Sequence, residues 1–189
     1  MKHNLEKHHR MSIRLKEYDY SQAGGYFVTI CTHGSINIFG HLENGIIRLN
    51  EFGETVRDEW LKTQTLWTNL IVDEFVIMPN HVHGILMIIE GCRGTLQRAP
   101  TIERFSKPVS NSIPTIVRLF KSATTKKINQ IRLTPGLPVW QRNYWEHVIR
   151  NEDKLFKIRQ YIQNNPLKWH LDRENPERIG NDRLEDEIF

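Results

Sequence analysis

The sequence predicts an α+β domain: an antiparallel sheet with helices layered on one face. Three observations carry this. Asn44-Gly45 is a hairpin-type turn, Pro79-Asn80 divides two extended apolar runs, and three further segments repeat apolar residues at helical spacing. The chain has 189 residues, most simply one domain over 1–189 with room for a real core. A formal net charge of +4 permits a nucleic-acid partner without requiring one. Cys31 and Cys92 are too few for a disulfide framework, so a reducing cytoplasm is the expected compartment. Residues 1–10 are basic, with no apolar stretch behind them to make a secretory signal. No apolar run approaches the ~18 residues a bilayer requires, so no membrane partner is expected.

Residues 26–32 read as a strand rich in β-branched and aromatic side chains. The Asn44-Gly45 turn joins residues 36–42 to residues 46–49. Asn50 can cap a helix in which Phe52, Val56 and Trp60 recur every four residues. Residues 70–78 and 81–89 are two more strands. Residues 91–111 hold Gly, Pro, Ser and Arg without apolar period, which marks a surface loop. Ser112 then caps a helix with a stripe of Ile116, Phe120, Ala123 or Thr124, and Ile131. A last helix starts at Asn151, with Glu152 and Asp153 in its first turn, where the helix dipole favours them. Its stripe is Leu155, Ile158 and Ile162. It should end near Pro166, which biases Asn165 away from helical angles. Residues 170–189 are a charged tail. Order alone leaves several sheet topologies open.

Two places concentrate chemistry. His81 and His83 flank Val82 at the mouth of a strand, so both imidazoles leave the same face of a stiff platform. That suits a metal site, and it equally fits the polar entrance of a strand. In the last helix Tyr161 and Asn165, one turn apart, lie together at the edge of the apolar stripe. A tyrosine there is ordinarily a core-border residue.

The stretches YFVTICT at 26–32, MPNHVHG at 78–84, WQRNYWEHVIR at 140–150 and YIQNNPLKW at 161–169 occur in that order. Together they resemble the REP-associated tyrosine transposases. These are single-tyrosine transposases within the HUH (histidine–hydrophobic–histidine) family of single-strand DNA nucleases. The resemblance covers a core of about 20–169. It implies a ferredoxin-like sheet, with the HVH on a central strand and the tyrosine helix packed beside it. It makes His81 and His83 metal ligands and Tyr161 the nucleophile. The third ligand is an amide one turn after the tyrosine, here Asn165, with Asn164 beside it as the second candidate. It further implies Mg2+ or Mn2+, and a 5′-phosphotyrosine intermediate with a free 3′-hydroxyl. The DNA partner would be single-stranded or hairpin DNA from palindromic repeats, and the protein a monomer or a homodimer.

The chemistry accounts for these residue types. A phenol of pKa about 10 is only ~0.1% ionised near neutrality. Attack on a phosphodiester therefore needs loss of the phenolic proton, positioning, and charge neutralisation by a divalent ion. Two rival readings remain at this point. One is a non-catalytic nucleic-acid-binding module on the same fold. The other is a zinc-hydrolase-like enzyme with a water nucleophile and a structural Tyr161.

Candidate phosphate contacts lie in three groups. The helix after Ser112 carries Arg118, Lys121, Lys126 and Lys127, which also suit a solvated helix face. The 140–150 segment mixes Trp140, Tyr144 and Trp145 with Arg142, Asn143, His147 and Arg150, a composition that stacks unpaired bases and holds their phosphates. Trp145 is expected to anchor this segment on the core, with Arg142 and Arg150 facing DNA. Arg159 and Lys168 flank the tyrosine and could neutralise the scissile phosphate or its neighbours.

Overall fold

The computed structural model describes residues 18–90 and 109–188; the basic residues 1–10, Cys92 and most of the expected 91–111 loop lie outside them. Strand β1 is Gly24–Cys31, and β2 (Gly40–Glu43) and β3 (Ile46–Leu49) form a separate hairpin. Asn44 and Gly45 close that hairpin with φ of 53° and 74°, the left-handed pair that a two-residue turn demands. Helix α1 (Glu51–Leu66) begins where the Asn50 side chain accepts from the N–H of Phe52 and Gly53. Next come β4 (Leu70–Ile77), β5 (His81–Ile88), α2 (Ile113–Ile131), β6 (Trp145–Ile149), α3 (Glu152–Asn164) and the short α4 (Arg183–Ile188).

The main sheet runs β4-β5-β1-β6, with every neighbouring pair antiparallel. β1 and β4 flank β5, while β5 and β6 flank β1. The chain thus makes two interleaved βαβ units, through α1 and through α2, which is the ferredoxin-like arrangement. The HVH strand β5 is central.

Helices cover both faces, where one covered face was expected. Tyr26, Val28, Ile30, Val82 and Leu86 pack with α1 and α2, whereas Phe27 and Ile85 pack with Leu155, Ile158 and Ile162 of α3. The cause is in the sequence: β1 and β5 are apolar at successive positions, and a strand of that kind needs both sides buried.

Other elements shift from expectation for local reasons. The first hairpin arm starts at Gly40, because Thr32 holds the Ile36 carbonyl and the Phe39 N–H bonds Pro79. Strand β6, read in the sequence only as part of an aromatic segment, pairs with β1 from Thr29↔Trp145 to Gly25↔Ile149. The α2 stripe uses Thr124 and Ile128, while Ile131 is exposed. Ser112 holds the N-cap position, but its hydroxyl donates to the Val109 carbonyl instead of capping the helix. α3 ends on schedule at Asn164, yet Asn165 keeps helical angles (φ −57°, ψ −41°). Its N–H bonds the Ile162 carbonyl and its buried amide bonds Asp172, which outweighs the bias from Pro166.

Candidate active site

β5 projects His81 and His83 onto the α3 face, where their ring centroids lie 4.2 Å apart. Both are buried, at 0% and 1% exposure. The partner strand supplies Thr29, directly opposite His83, and its hydroxyl meets His83 Nδ1 at 2.9 Å. His81 Nδ1 meets Asn80 Oδ1 at 2.9 Å. The outer nitrogens of both rings are thereby engaged, and both Nε2 atoms turn inward.

α3 brings the rest. Its N-terminus is capped by Asn151, whose side chain accepts from Lys154 N–H, and its stripe docks on Phe27 and Ile85. The Arg159 guanidinium grips both oxygens of Asp73, at 3.0 and 2.5 Å, where β4 carries a bulge between Val72 and Phe75. That pair holds the Asp73 carboxyl below its ordinary range. So docked, Tyr161 places its hydroxyl 3.3 Å from His83 Nε2. It is deeply buried, at 2% exposure. Burial, aided by Asp172 and Glu185, pushes its phenol well above the ordinary value.

Asn165, one turn on, is buried in the same place, whereas Asn164 is exposed and bonds back to the Gln160 carbonyl. Asn165 Nδ2 donates to Asp172 Oδ2 at 2.5 Å. That carboxylate oxygen stands 3.6 Å from His83 Nε2 and 3.9 Å from His81 Nε2. His81, His83 and Asp172 form a buried group whose ligand atoms all lie within 4.8 Å, close enough to hold a metal ion. His81 Nε2 and Asn165 Oδ1 are buried with no hydrogen-bond partner among the described residues. Two orphaned lone-pair atoms beside a carboxylate fit a cation. Burial, with His83 beside it, pushes the His81 pKa down to about 3, so the ring is neutral near pH 7, as a ligand must be. For Asp172, burial favours the neutral acid, but the adjoining histidines, when they carry a proton, and the bond from Asn165 pull its carboxyl below the ordinary range.

The 170–189 segment, expected only as a charged tail, completes this site. After a short 3-10 turn (Trp169–Leu171) the chain lays Asp172 into the centre and Trp169 against His81, with ring centroids 5.8 Å apart. The Glu174 carboxylate accepts from the Cys31 thiol, and its carbonyl accepts from Asn80. What remains is a cavity of about 160 Å³ bounded by Thr29, His83, Trp145, Tyr161, Arg173 and Glu185. A larger hollow, about 520 Å³, lies past the C-terminal end of α2 beside Leu133 and Pro135, and no residue of this site lines it. No sequence signal marked Asp172; it is one acid among several in a polar tail.

The cationic candidates are dispersed. Arg118, Lys126 and Lys127 are exposed on α2, across the sheet from Tyr161, and Lys127 pairs with Glu59 at 2.6 Å. Lys121 points its ammonium at the carbonyls of Gln141, Arg142 and Asn143 and so clamps the loop before β6. Arg142, Asn143 and Arg150 are exposed at the two ends of β6, with Tyr144 half-buried. Lys168 pairs with Asp182 at 3.0 Å. Trp145 packs edge-on to Phe27, and Trp140 is buried with its indole N–H on Thr124.

A protein of Haemophilus influenzae (strain Rd), itself uncharacterised, is 42% identical over 178 residues, which cover 91% of this chain and 96% of that protein. The chain belongs to that protein's family. No family model matches this family member. The solved structure of a REP-associated tyrosine transposase bound to a REP hairpin is similar, with a TM-score of 0.56 at 20% identity over 82% of this chain and 73% of that one. The likeness read from sequence motifs therefore extends to the fold. Among the described residues no helix is long and apolar enough to cross a membrane.

Proposed function

We propose that the chain is a metal-dependent single-strand DNA endonuclease and strand transferase of the HUH type, akin to the REP-associated tyrosine transposases. The observation that carries this reading is the convergence of Tyr161 and Asn165 from α3 on the two imidazoles of β5. A structural tyrosine has no need of two inward-facing histidines and an unpartnered amide oxygen.

In this reading the Tyr161 oxygen bonds to the scissile phosphorus, which stays on the newly made 5′ end. The bond from phosphorus to the 3′ oxygen is lost, the phenol gives up its proton, and the departing oxygen gains one as the free 3′-hydroxyl. The phosphodiester energy is kept in the phosphotyrosine for rejoining to another end. His81 Nε2, His83 Nε2 and Asn165 Oδ1 would hold a divalent ion, Mg2+ or Mn2+, with Asp172 adjacent. When bound, that ion polarises the scissile phosphate and favours the phenolate. Phe27 and Ile85 keep water from the inner side. Residues 169–185 cover the outer side, so this segment withdraws when DNA enters. The partner would be a DNA hairpin with a single-stranded flank.

The test is a labelled oligonucleotide of that form with Mn2+. The native chain should give a covalent adduct on a denaturing gel, and Tyr161→Phe should give none while still binding the DNA. An adduct from Tyr161→Phe would refute the assignment. The His81–His83–Asp172 group favours one second reading, hydrolysis by a metal-activated water. That reading predicts cleavage without an adduct, and cleavage that survives Tyr161→Phe.

A further inference from the structure

We propose that Asn80 is a positioning residue that sets the tautomer of His81, so that Nε2 is the unprotonated nitrogen turned toward the cation. The inference deepens the metal reading above and rests on it for its purpose, though not for its geometry.

Asn80 occupies the turn between β4 and β5 and is 1% exposed. Its backbone is pinned, since its carbonyl accepts from Thr32 N–H at 2.8 Å. On either side the Pro79 carbonyl accepts from Phe39 N–H, and Met78 N–H bonds the His81 carbonyl. The side chain is pinned as well. Its Nδ2 lies 3.2 Å from the Ser35 carbonyl and 2.8 Å from the Glu174 carbonyl. Carbonyls only accept, so the end of the amide that faces them must be the NH2 group. The other end, Oδ1, is therefore the one that meets His81 Nδ1 at 2.9 Å. An amide oxygen only accepts, so Nδ1 carries the hydrogen. A neutral imidazole has one N–H, which leaves Nε2 with a lone pair. That atom is the buried one without a partner.

The other histidine has no such arbiter at Nδ1, and its Nε2 faces the Tyr161 hydroxyl at 3.3 Å and the Asp172 carboxylate at 3.6 Å. His83 Nδ1 meets the Thr29 hydroxyl, which can donate or accept and so leaves the tautomer open. Of the two ligands, His81 is the one oriented in advance. Outer partners of this kind raise metal affinity by fixing ring and tautomer before the ion arrives.

A purely structural Asn80, one that only ties Ser35 and Glu174 to the turn, makes different predictions, and two substitutions separate them. Asn80→Ala removes the acceptor and both donors. Asn80→Asp keeps an acceptor beside His81 but loses both donors. Imidazole 15N shifts of the metal-free protein at pH 8 read the tautomer directly. The native chain should show His81 as Nδ1–H. Asn80→Ala should admit the Nε2–H form, and Asn80→Asp should restore Nδ1–H. Calorimetry with Mn2+ alone should show about 10-fold to 100-fold weaker binding for Asn80→Ala, largely recovered by Asn80→Asp. Native His81 found as Nε2–H would overturn the proposal outright, even if Asn80→Ala does not fold. So would an Asn80→Asp protein that folds yet resembles Asn80→Ala in both readouts. Absent Mn2+ binding by the native chain, with the tautomer dependence intact, would overturn the metal reading and leave the tautomer assignment standing.

Discussion

Gly84, the residue after the second histidine, is small for a reason found across the sheet. A Cβ there would stand 2.4 Å from Trp60 Cζ2, in the buried seam between β5 and α1. Gly84→Ala should therefore destabilise the fold by about 1–3 kcal/mol, read from denaturant unfolding, because the indole has no room to retreat. His81 carries a second prediction at this scale. Its pKa is about 3 in the folded chain, against an ordinary 6.5, so between those values the unfolded state binds the extra proton. Stability is then fully present above pH 6.5 and falls as pH drops toward 3, by at most about 1.4 kcal/mol per unit from this group. His81→Asn should flatten that slope in an unfolding series across pH 4–7. Strand and helix periodicities made two pairs legible, His81 with His83 and Tyr161 with Asn165, each sharing a face; that the pairs meet was implied only by the resemblance of the motifs. Asp172 was illegible because a turn, which has no period, delivers it.

At the scale of elements, α3 is placed by one polar clasp as much as by its apolar stripe. Arg159 and Asp73 are partly exposed, so breaking them with Asp73→Ala should cost only about 1 kcal/mol of stability. The larger effect should be on geometry. Tyr161 lies two residues from Arg159, and a double-mutant cycle of Asp73→Ala with Arg159→Ala should show coupling in adduct yield as well as in unfolding. The covering segment makes the opposite prediction. Asp182→Ala breaks the pair with Lys168 that ties this cover down, leaves Asp172 in place, and should raise the rate of adduct formation per molecule. An unchanged rate would mean that this segment never obstructs the site. The two-sided burial of β1 and β5 is written in their unbroken apolar runs, although helices were expected on one face only. The sequence concealed β6, whose mixed aromatic and charged residues suit an edge strand and an exposed loop equally well.

For the whole molecule, one set of cations is exposed on α2, across the sheet from Tyr161, and another at the two ends of the edge strand β6. If DNA reaches Tyr161, it runs past the ends of β6 and away from the exposed face of α2. Binding of a hairpin with a single-stranded flank should weaken as salt rises, with a slope near −0.7 per phosphate contact on the single strand. Arg142→Ala or Arg150→Ala should make that slope shallower, while Arg118→Ala should leave it unchanged. The reverse result would move the DNA to the α2 side. The composition of the site from distant stretches has one more consequence. Its histidines come from residues 81 and 83, its tyrosine from 161, its carboxylate from 172, and β1 acquires its second neighbour only at 145–149. During synthesis the N-terminal part emerges and begins to fold first. A chain still being made thus has imidazoles but no phenol near them, and the candidate site is assembled only once residues 161–172 have left the ribosome. Residues 169–185, which close over the tyrosine, emerge soon after it, so the phenol is brought to the histidines and covered in close succession.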